Sequence, residues 1–130
     1  MPRLAASTLF VFTLILRYGT AQAAVTFTVA NGTDSGTGSL RQALLDANDG
    51  DTIVFANGVS TVNLTSGELD ITKSVTITGA ANPYTIILRD SGASAFRLFR
   101  AGPGTSASSL ATITLQNLDL ENGNQSGNAG

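Results

Sequence analysis

The chain has 130 residues, of which seven are basic and nine acidic, and it contains no histidine and no cysteine. The acidic excess argues against nucleic acid as a partner, because phosphates require a basic surface. Without histidine the chain lacks the usual transition-metal ligand and general base, and without cysteine it has no disulfide. Composition therefore predicts a fold that depends on burial and backbone pairing, with no cofactor and no metal site.

The N-terminus has the three regions of a secretory signal peptide in order. Arg3 supplies positive charge, residues 4–16 are mostly apolar, and Ala21-Gln22-Ala23 is a small-x-small cleavage site. The apolar run ends at Arg17 and is shorter than the ~20 residues of a membrane-spanning helix. We expect residues 1–23 to be removed, leaving an exported mature chain without a transmembrane span. A buried N-terminal helix is the alternative.

The next segments predict a first strand followed by a helix. Residues 25–29 alternate with a period of two, and residues 31–38 have the composition of a loop. The helix has an N-cap and capping-box pattern, an apolar face, and turn-forming residues from 48 to 51. A helix of about ten residues is marginal in water, so this one must dock on the strands as a cap. The predicted cap residues are Ser39, Leu40, Arg41, Gln42, Ala43, Leu44 and Ala47.

Short strands fill the rest of the chain. They are predicted at residues 52–56, 61–65, 69–72, 74–78, 85–89, 96–100 and 112–120, the last dividing at Asn117. The triplets 53–55, 75–77, 96–98 and 118–120 recur at offsets of 22, 21 and 22 residues. Such spacing favours a β-solenoid with about three strands per coil over an antiparallel sandwich, which is the alternative.

Four motifs carry a family resemblance. GSLRQA at residues 38–43, Ala47-Asn48 at the helix end, DTIVF at residues 51–55 and ITKSVTITG at residues 71–79 occur in that order. Together they resemble the N-terminus of bacterial secreted pectin-lyase-like surface proteins. The capping module of that family is named for a CSLREA core, in which Gly38 and Gln42 here replace Cys and Glu.

The resemblance implies the fold class and the organisation of the chain. The fold it implies is all-β, a right-handed parallel β-helix with one short N-terminal capping helix. The implied divisions are a strand and capping helix at residues 24–50, the first coils at 51–122, and a Gly/Asn-rich tail at 123–130. That tail resembles the start of further repeating coils, so we expect a chain truncated at its C-terminal end. A complete small protein with a disordered tail is the alternative.

Carboxylates are the only residues that suggest chemistry. Asp46, Asp49 and Asp51 cluster at the helix end, and Glu68 and Asp70 alternate on one strand. Paired carboxylates serve glycosidases and calcium sites. The simpler interpretation is that the first group forms a turn and that the second faces solvent while Leu69 and Ile71 point inward.

The basic residues also have structural interpretations. Arg41, which family members share, is expected to pair with a carboxylate or to cover apolar surface with its stem. Arg89, Arg97 and Arg100 form a loose cluster near two phenylalanines. The cluster suggests contact with an acidic glycan, but a solvated strand face is the favoured interpretation.

Two classes of function follow from the resemblance. The favoured one is a non-catalytic cap and first coils of an exported bacterial surface, adhesin-like or autotransporter-like protein, with glycans or host and cell-surface components as partners. No catalytic, cofactor or metal residue is assigned. The alternative is the N-terminal fragment of a polysaccharide lyase or glycoside hydrolase of the same fold.

Overall fold

The computed structural model describes residues 22–102 and 111–124. The predicted signal peptide therefore lies outside the described residues except for Gln22 and Ala23, and most of the predicted tail lies outside them as well. The described elements, in chain order, are β1 (Thr26–Val29), α1 (Leu40–Asp46), β2 (Thr52–Phe55), β3 (Thr61–Leu64), β4 (Leu69–Ile71), β5 (Val75–Thr78), β6 (Thr85–Arg89), β7 (Phe99–Ala101), β8 (Ile113–Gln116) and β9 (Leu118–Glu121).

The strands form three sheets in which every pair of named strands is parallel. Sheet A has the order β1-β2-β5-β8, sheet B the order β3-β6-β9, and sheet C pairs β4 with β7. From β2 onward the chain visits the sheets in the order A, B, C and then repeats it. The predicted mostly-β fold with one short helix is confirmed, and the parallel pairing is incompatible with an antiparallel sandwich in the described residues.

Alternation along each strand separates a buried core from the outer surface. In β4 the middle residue, Asp70, is exposed while Leu69 and Ile71 are buried, as predicted. The same pattern buries Val75 and Ile77 of β5 and leaves the residues between and after them partly exposed. Strand residues of all three sheets thus share one apolar core, to which α1 also contributes: Val29, Leu40, Ala43, Leu44, Ala47, Ile53, Val62, Leu64, Leu69, Ile71, Val75, Ile77, Ile87 and Leu98.

The predicted strand boundaries agree closely with the structure, with one shift. The strand expected at residues 96–100 is β7, which spans Phe99–Ala101, although Leu98 is buried and its carbonyl accepts a hydrogen bond from the Leu69 amide at 2.8 Å. The strand expected at residues 112–120 divides at Asn117, as predicted. Asn117 has φ +54° and turns the chain directly from β8 into β9.

The predicted recurrence of 22, 21 and 22 residues is wrong. Ile53 pairs with Ile77, an offset of 24, and Ile77 pairs with Leu115, an offset of 38. Residues 96–98 precede a strand of sheet C, and residues 118–120 lie in sheet B, so the four aligned triplets belong to different sheets. Connections of unequal length separate equivalent strands, and the apparent period arose from aligning strands that do not pair.

The two ends of the sheets differ among the described residues. At the first edges, α1 contacts β1 and β4, and the Asn63 amide of β3 donates a hydrogen bond to the Gly32 carbonyl at 2.9 Å. At the last edges, β8 and β9 expose Leu115 and Leu120, which are 39% and 45% exposed. The helix and the loop before it therefore cover one end of the stacked strands.

Close backbone approach requires glycine where β5 ends. A Cβ atom at Gly79 would lie 2.3 Å from the carbonyl oxygen of Asn117, and the Gly79 amide donates a hydrogen bond to Gln116 at 2.9 Å. We predict that Gly79→Ala lowers the free energy of unfolding by about 1–3 kcal/mol, because β5 and β8 must move apart. Urea denaturation followed by circular dichroism measures the change.

Gly92→Ala is the matched control for this substitution. Its added Cβ would meet only the movable carboxylate of Asp90, at 3.2 Å. We expect a change within about 0.5 kcal/mol. Equal stabilities of the two variants would show that β5 and β8 do not approach as described.

Candidate functional site: the helical cap and the charged clusters

Helix α1 begins at a side-chain cap, as predicted. The Ser39 hydroxyl accepts a hydrogen bond from the Gln42 amide at 3.2 Å and donates one to the Gly36 carbonyl at 2.7 Å. The reciprocal bond of a capping box is replaced, because the Ser39 amide donates to Gly36 and the Gln42 side chain donates to Asp46. The N-cap prediction is confirmed for Ser39 and is wrong in assigning the Gln42 side chain to the cap.

The apolar face of α1 is buried in the common core. Leu40, Ala43, Leu44 and Ala47 are each at most 9% exposed. A helix of seven residues has little stability of its own, so burial of this face is what keeps it folded. The structure therefore places the predicted apolar cap residues against the strands.

Arg41 joins three segments of the chain. Its guanidinium donates to the Asp34 carboxylate at 2.9 Å, the Asp34 carbonyl at 3.1 Å, the Gly67 carbonyl at 2.8 Å and the Glu68 carbonyl at 2.8 Å. The expected pairing of Arg41 with a carboxylate is confirmed. Because the two carbonyls immediately precede β4, Arg41 attaches both α1 and the loop before it to the first edge of sheet C.

Asp34 connects the loop before α1 to the segment between β3 and β4. Burial raises the pKa of its carboxyl, but hydrogen bonds from Ser66, Arg41 and the Thr65 amide outweigh burial and lower the pKa below its ordinary value. The sequence analysis missed Asp34. Its only signal was a carboxylate seven residues before Arg41, in a loop whose path the sequence does not define.

Asp51 holds the other end of the cap. It is 2% exposed, and its two oxygens accept hydrogen bonds from the Val25 amide and the Asn48 amide, both at 2.7 Å. These two amides, that of Val25 first, lower the pKa of the Asp51 carboxyl. Gly50 beside it has φ +92°, as a turn with a left-handed residue requires. Asp51 is therefore a turn residue with both oxygens engaged.

The segment before β5 also attaches to the end of α1. The Asp49 carboxylate accepts a hydrogen bond from the Ser74 amide at 2.7 Å. The Lys73 ammonium donates to the carbonyls of Leu45 and Ala47, where a cation complements the C-terminal end of a helix. Asp46 is exposed and accepts from Gln42. The three predicted aspartates thus make separate contacts.

The acidic pair on β4 and two of the predicted basic residues form one cluster. Glu68 lies 2.9 Å from Arg97 and 3.5 Å from Arg100, and Asp70 lies 3.0 Å from Arg100. They meet because β4 and β7 are neighbours in sheet C, with Asp70 opposite Arg100. Two carboxylates and two guanidiniums neutralise one another here, so the expected loose basic cluster is absent at this position.

Arg89 is separate from that cluster. Its guanidinium donates to the carbonyls of Asn122, Asp90 and Ala93 and lies 6.0 Å from the centre of the Phe96 ring. Its side chain therefore ties the end of β6 to two later loops. Each of the three arginines proposed to meet an acidic glycan already has partners within the chain.

Two searches of residues 22–102 and 111–124 complete the description of the site. They contain no group of three or more carboxylates placed to hold a metal ion. The one helix they contain, α1, is too short to cross a membrane.

Arg41 is expected to be the most consequential charged residue of the cap. We predict that Arg41→Ala lowers the free energy of unfolding by about 2–3 kcal/mol, because it leaves Asp34 and two partly buried carbonyls without their donor. Arg41→Lys should recover only part of that loss, since one ammonium cannot reach all four acceptors. Chemical denaturation of the three proteins gives the values.

Arg100→Ala is the matched control. Arg100 also contacts two carboxylates, but its side chain is 51% exposed, so the expected loss is below about 1 kcal/mol. If Arg100→Ala were as damaging as Arg41→Ala, the special position of Arg41 at the strand edge would be contradicted.

Stability should fall on acidification. The pKa values of Asp34, Asp51 and Asp90 are lowered in the folded chain, that of Asp90 mainly by the Asn63 amide. A depressed folded pKa contributes stability above the unfolded pKa, near 4, and this is lost as pH falls through the folded value. We therefore predict a melting temperature that decreases progressively between about pH 5 and pH 2.

Asp51→Asn tests the contribution of one of these groups. The amide retains one acceptor oxygen and turns an NH₂ donor toward the other main-chain donor. We expect a lower melting temperature at pH 7 and a smaller further decrease on acidification than in the parent. Asp119→Asn, on exposed β9, is the control and should behave as the parent. An Asp51→Asn protein that melts like the parent at pH 7 would disprove the assignment.

Comparison with known proteins identifies no relative of this chain. No family model matches it, and neither a curated protein nor a solved structure does.

Proposed function

We propose that the chain is the N-terminal cap and first coils of an exported bacterial surface or adhesin-like protein with a right-handed parallel β-helix fold. The observation that carries the proposal is the order in which the strands are used. From β2 to β9 the chain visits sheets A, B and C cyclically, and each strand pairs in parallel with the strand from the previous visit. Repeated coiling gives that order, and parallel crossovers are overwhelmingly right-handed.

The cap assignment is supported by the contacts at the first edges. Unpaired edge strands invite association with other chains unless something covers them. Here α1 buries its apolar face on the core, while Arg41 binds the two carbonyls that precede β4. The cap residues are thus structural, and the remaining outer surface is available for contacts.

The non-catalytic role is supported by how the carboxylates are used. Both oxygens of Asp51 accept main-chain hydrogen bonds, and Asp49 accepts one from Ser74. Glu68 and Asp70 are held by arginines across sheet C. These carboxylates organise turns and neighbouring strands, and the proposed partners are glycans or host and cell-surface components that meet the outer face.

Export is the part of the proposal that is tested most directly. Expression of the full chain in a bacterium with a general secretory pathway should release a mature protein that begins at Ala24, as determined by mass spectrometry of extracytoplasmic fractions. Ala23→Phe should leave most of the protein uncleaved, because a signal peptidase requires a small residue there. Gln22→Ser, at the tolerant position between the two alanines, should be processed normally.

Two results would contradict the proposal. Retention of the unprocessed parent chain in the cytoplasm would exclude export by this route. Sustained release of unsaturated product from polygalacturonate by the purified protein, recorded by ultraviolet absorbance, would exclude the non-catalytic role.

A further inference from the structure

A groove lies at the corner between sheets A and B. The connections from sheet A to sheet B are residues 56–60 and 79–84 in the first two passes, and Asn117 alone in the third. The two longer loops lie side by side and border a cavity of about 450 Å³. That volume is within the range of small-molecule binding sites.

The walls of the groove are preformed. Phe55 and Val59 line it and also pack against the buried core. The first loop is fixed by hydrogen bonds from the Val59 amide to Ala56 at 3.1 Å and from the Ile86 amide to Ser60 at 2.9 Å. In the second loop the Ala80 amide donates to the Thr85 hydroxyl at 2.9 Å. A ligand would therefore meet an ordered apolar surface.

The rim of the groove is polar but uncharged. Asn57 and Asn82 line it from the two loops, and Thr78 lines it from the end of β5. Both asparagine side chains are exposed and make no hydrogen bond to another residue within the described ranges. No Asp, Glu, Lys or Arg is among the lining residues, so an ion entering the groove would lose hydration without a compensating charge.

This combination fits one class of ligand. Amide and hydroxyl groups both donate and accept hydrogen bonds, as sugar hydroxyls do, and the apolar wall suits the C–H faces of a sugar ring. An extended peptide is less well matched, because peptides add to free strand edges and β2 and β5 beside the groove already pair with each other. We propose that the groove binds an uncharged saccharide.

This inference goes beyond the general contact role proposed above and does not depend on export. It also differs from the acidic-glycan hypothesis for Arg89, Arg97 and Arg100, since those guanidiniums are engaged within the chain. A purified protein that binds a neutral sugar would support the groove even if the export experiment failed.

The test is a titration of the purified, isotopically labelled protein monitored by amide NMR shifts. The neutral probes are cellotetraose, maltotetraose and chitotetraose, and the anionic probe is tetragalacturonate. At least one neutral probe should shift amides of residues 54–60 and 78–82 in a saturable manner. Tetragalacturonate should leave them unchanged. A leucine-rich neutral peptide is titrated in parallel and should also leave them unchanged.

Variants locate the binding. The double variant Asn57→Ala/Asn82→Ala should weaken binding of the neutral probe about tenfold or more, since it removes the amides that bind hydroxyls. Asn48→Ala, an exposed asparagine outside the groove, should bind as the parent does. Thermal melts of each variant separate lost binding from lost folding, because both groove substitutions are at exposed positions.

Several results would overturn the proposal. They are failure of every neutral probe to shift the groove amides at millimolar concentration, an equal response to tetragalacturonate or to the peptide, and binding that the folded double variant retains in full. Shifts confined to other parts of the protein would overturn it as well.

Discussion

The fold depends on satisfying the backbone at the edges of stacked parallel strands. Each inner strand finds its partners in the preceding and following passes of the chain, but the first strands have no preceding pass. At sheet B the Gly32 carbonyl accepts the Asn63 amide, and beside sheet C the guanidinium of Arg41 binds the carbonyls of Gly67 and Glu68. Because such backbone groups are costly to bury unpaired, the loop and helix before β2 are part of the fold.

The strands and the helix were predictable because their signals are local. Alternation of apolar residues, bounded by Gly and Asn, indicated nearly every strand, and Ser39 indicated where α1 begins. Register was not predictable in this way. Paired strands are offset by 24 and 38 residues in sheet A and by 30 in sheet C, and the lengths of the connections determine these offsets. A search for one period therefore aligned strands that do not pair.

The same distinction applies to the charged residues. That Arg41 would find a carboxylate, and that Glu68 and Asp70 would face outward, followed from residue type and alternation. That Arg41 pairs with Asp34 depended on the path of a loop, and that Glu68 meets Arg97 depended on the pairing of β4 with β7. The sequence showed an acidic pair and a basic cluster, and only the sheet register shows that they neutralise each other.

That neutralisation determines where recognition is available. A guanidinium already bonded to carboxylates or carbonyls would have to give up those bonds to bind an anion, so the paired arginines are poor sites for acidic ligands. The corner between sheets A and B has no such competition, since Asn57 and Asn82 have no partner among the described residues and Phe55 is fixed by the core. The contacts that hold the sheets together use the charges and leave an uncharged groove. Binding at that groove would therefore respond weakly to salt, because it involves no ion pair that salt can screen.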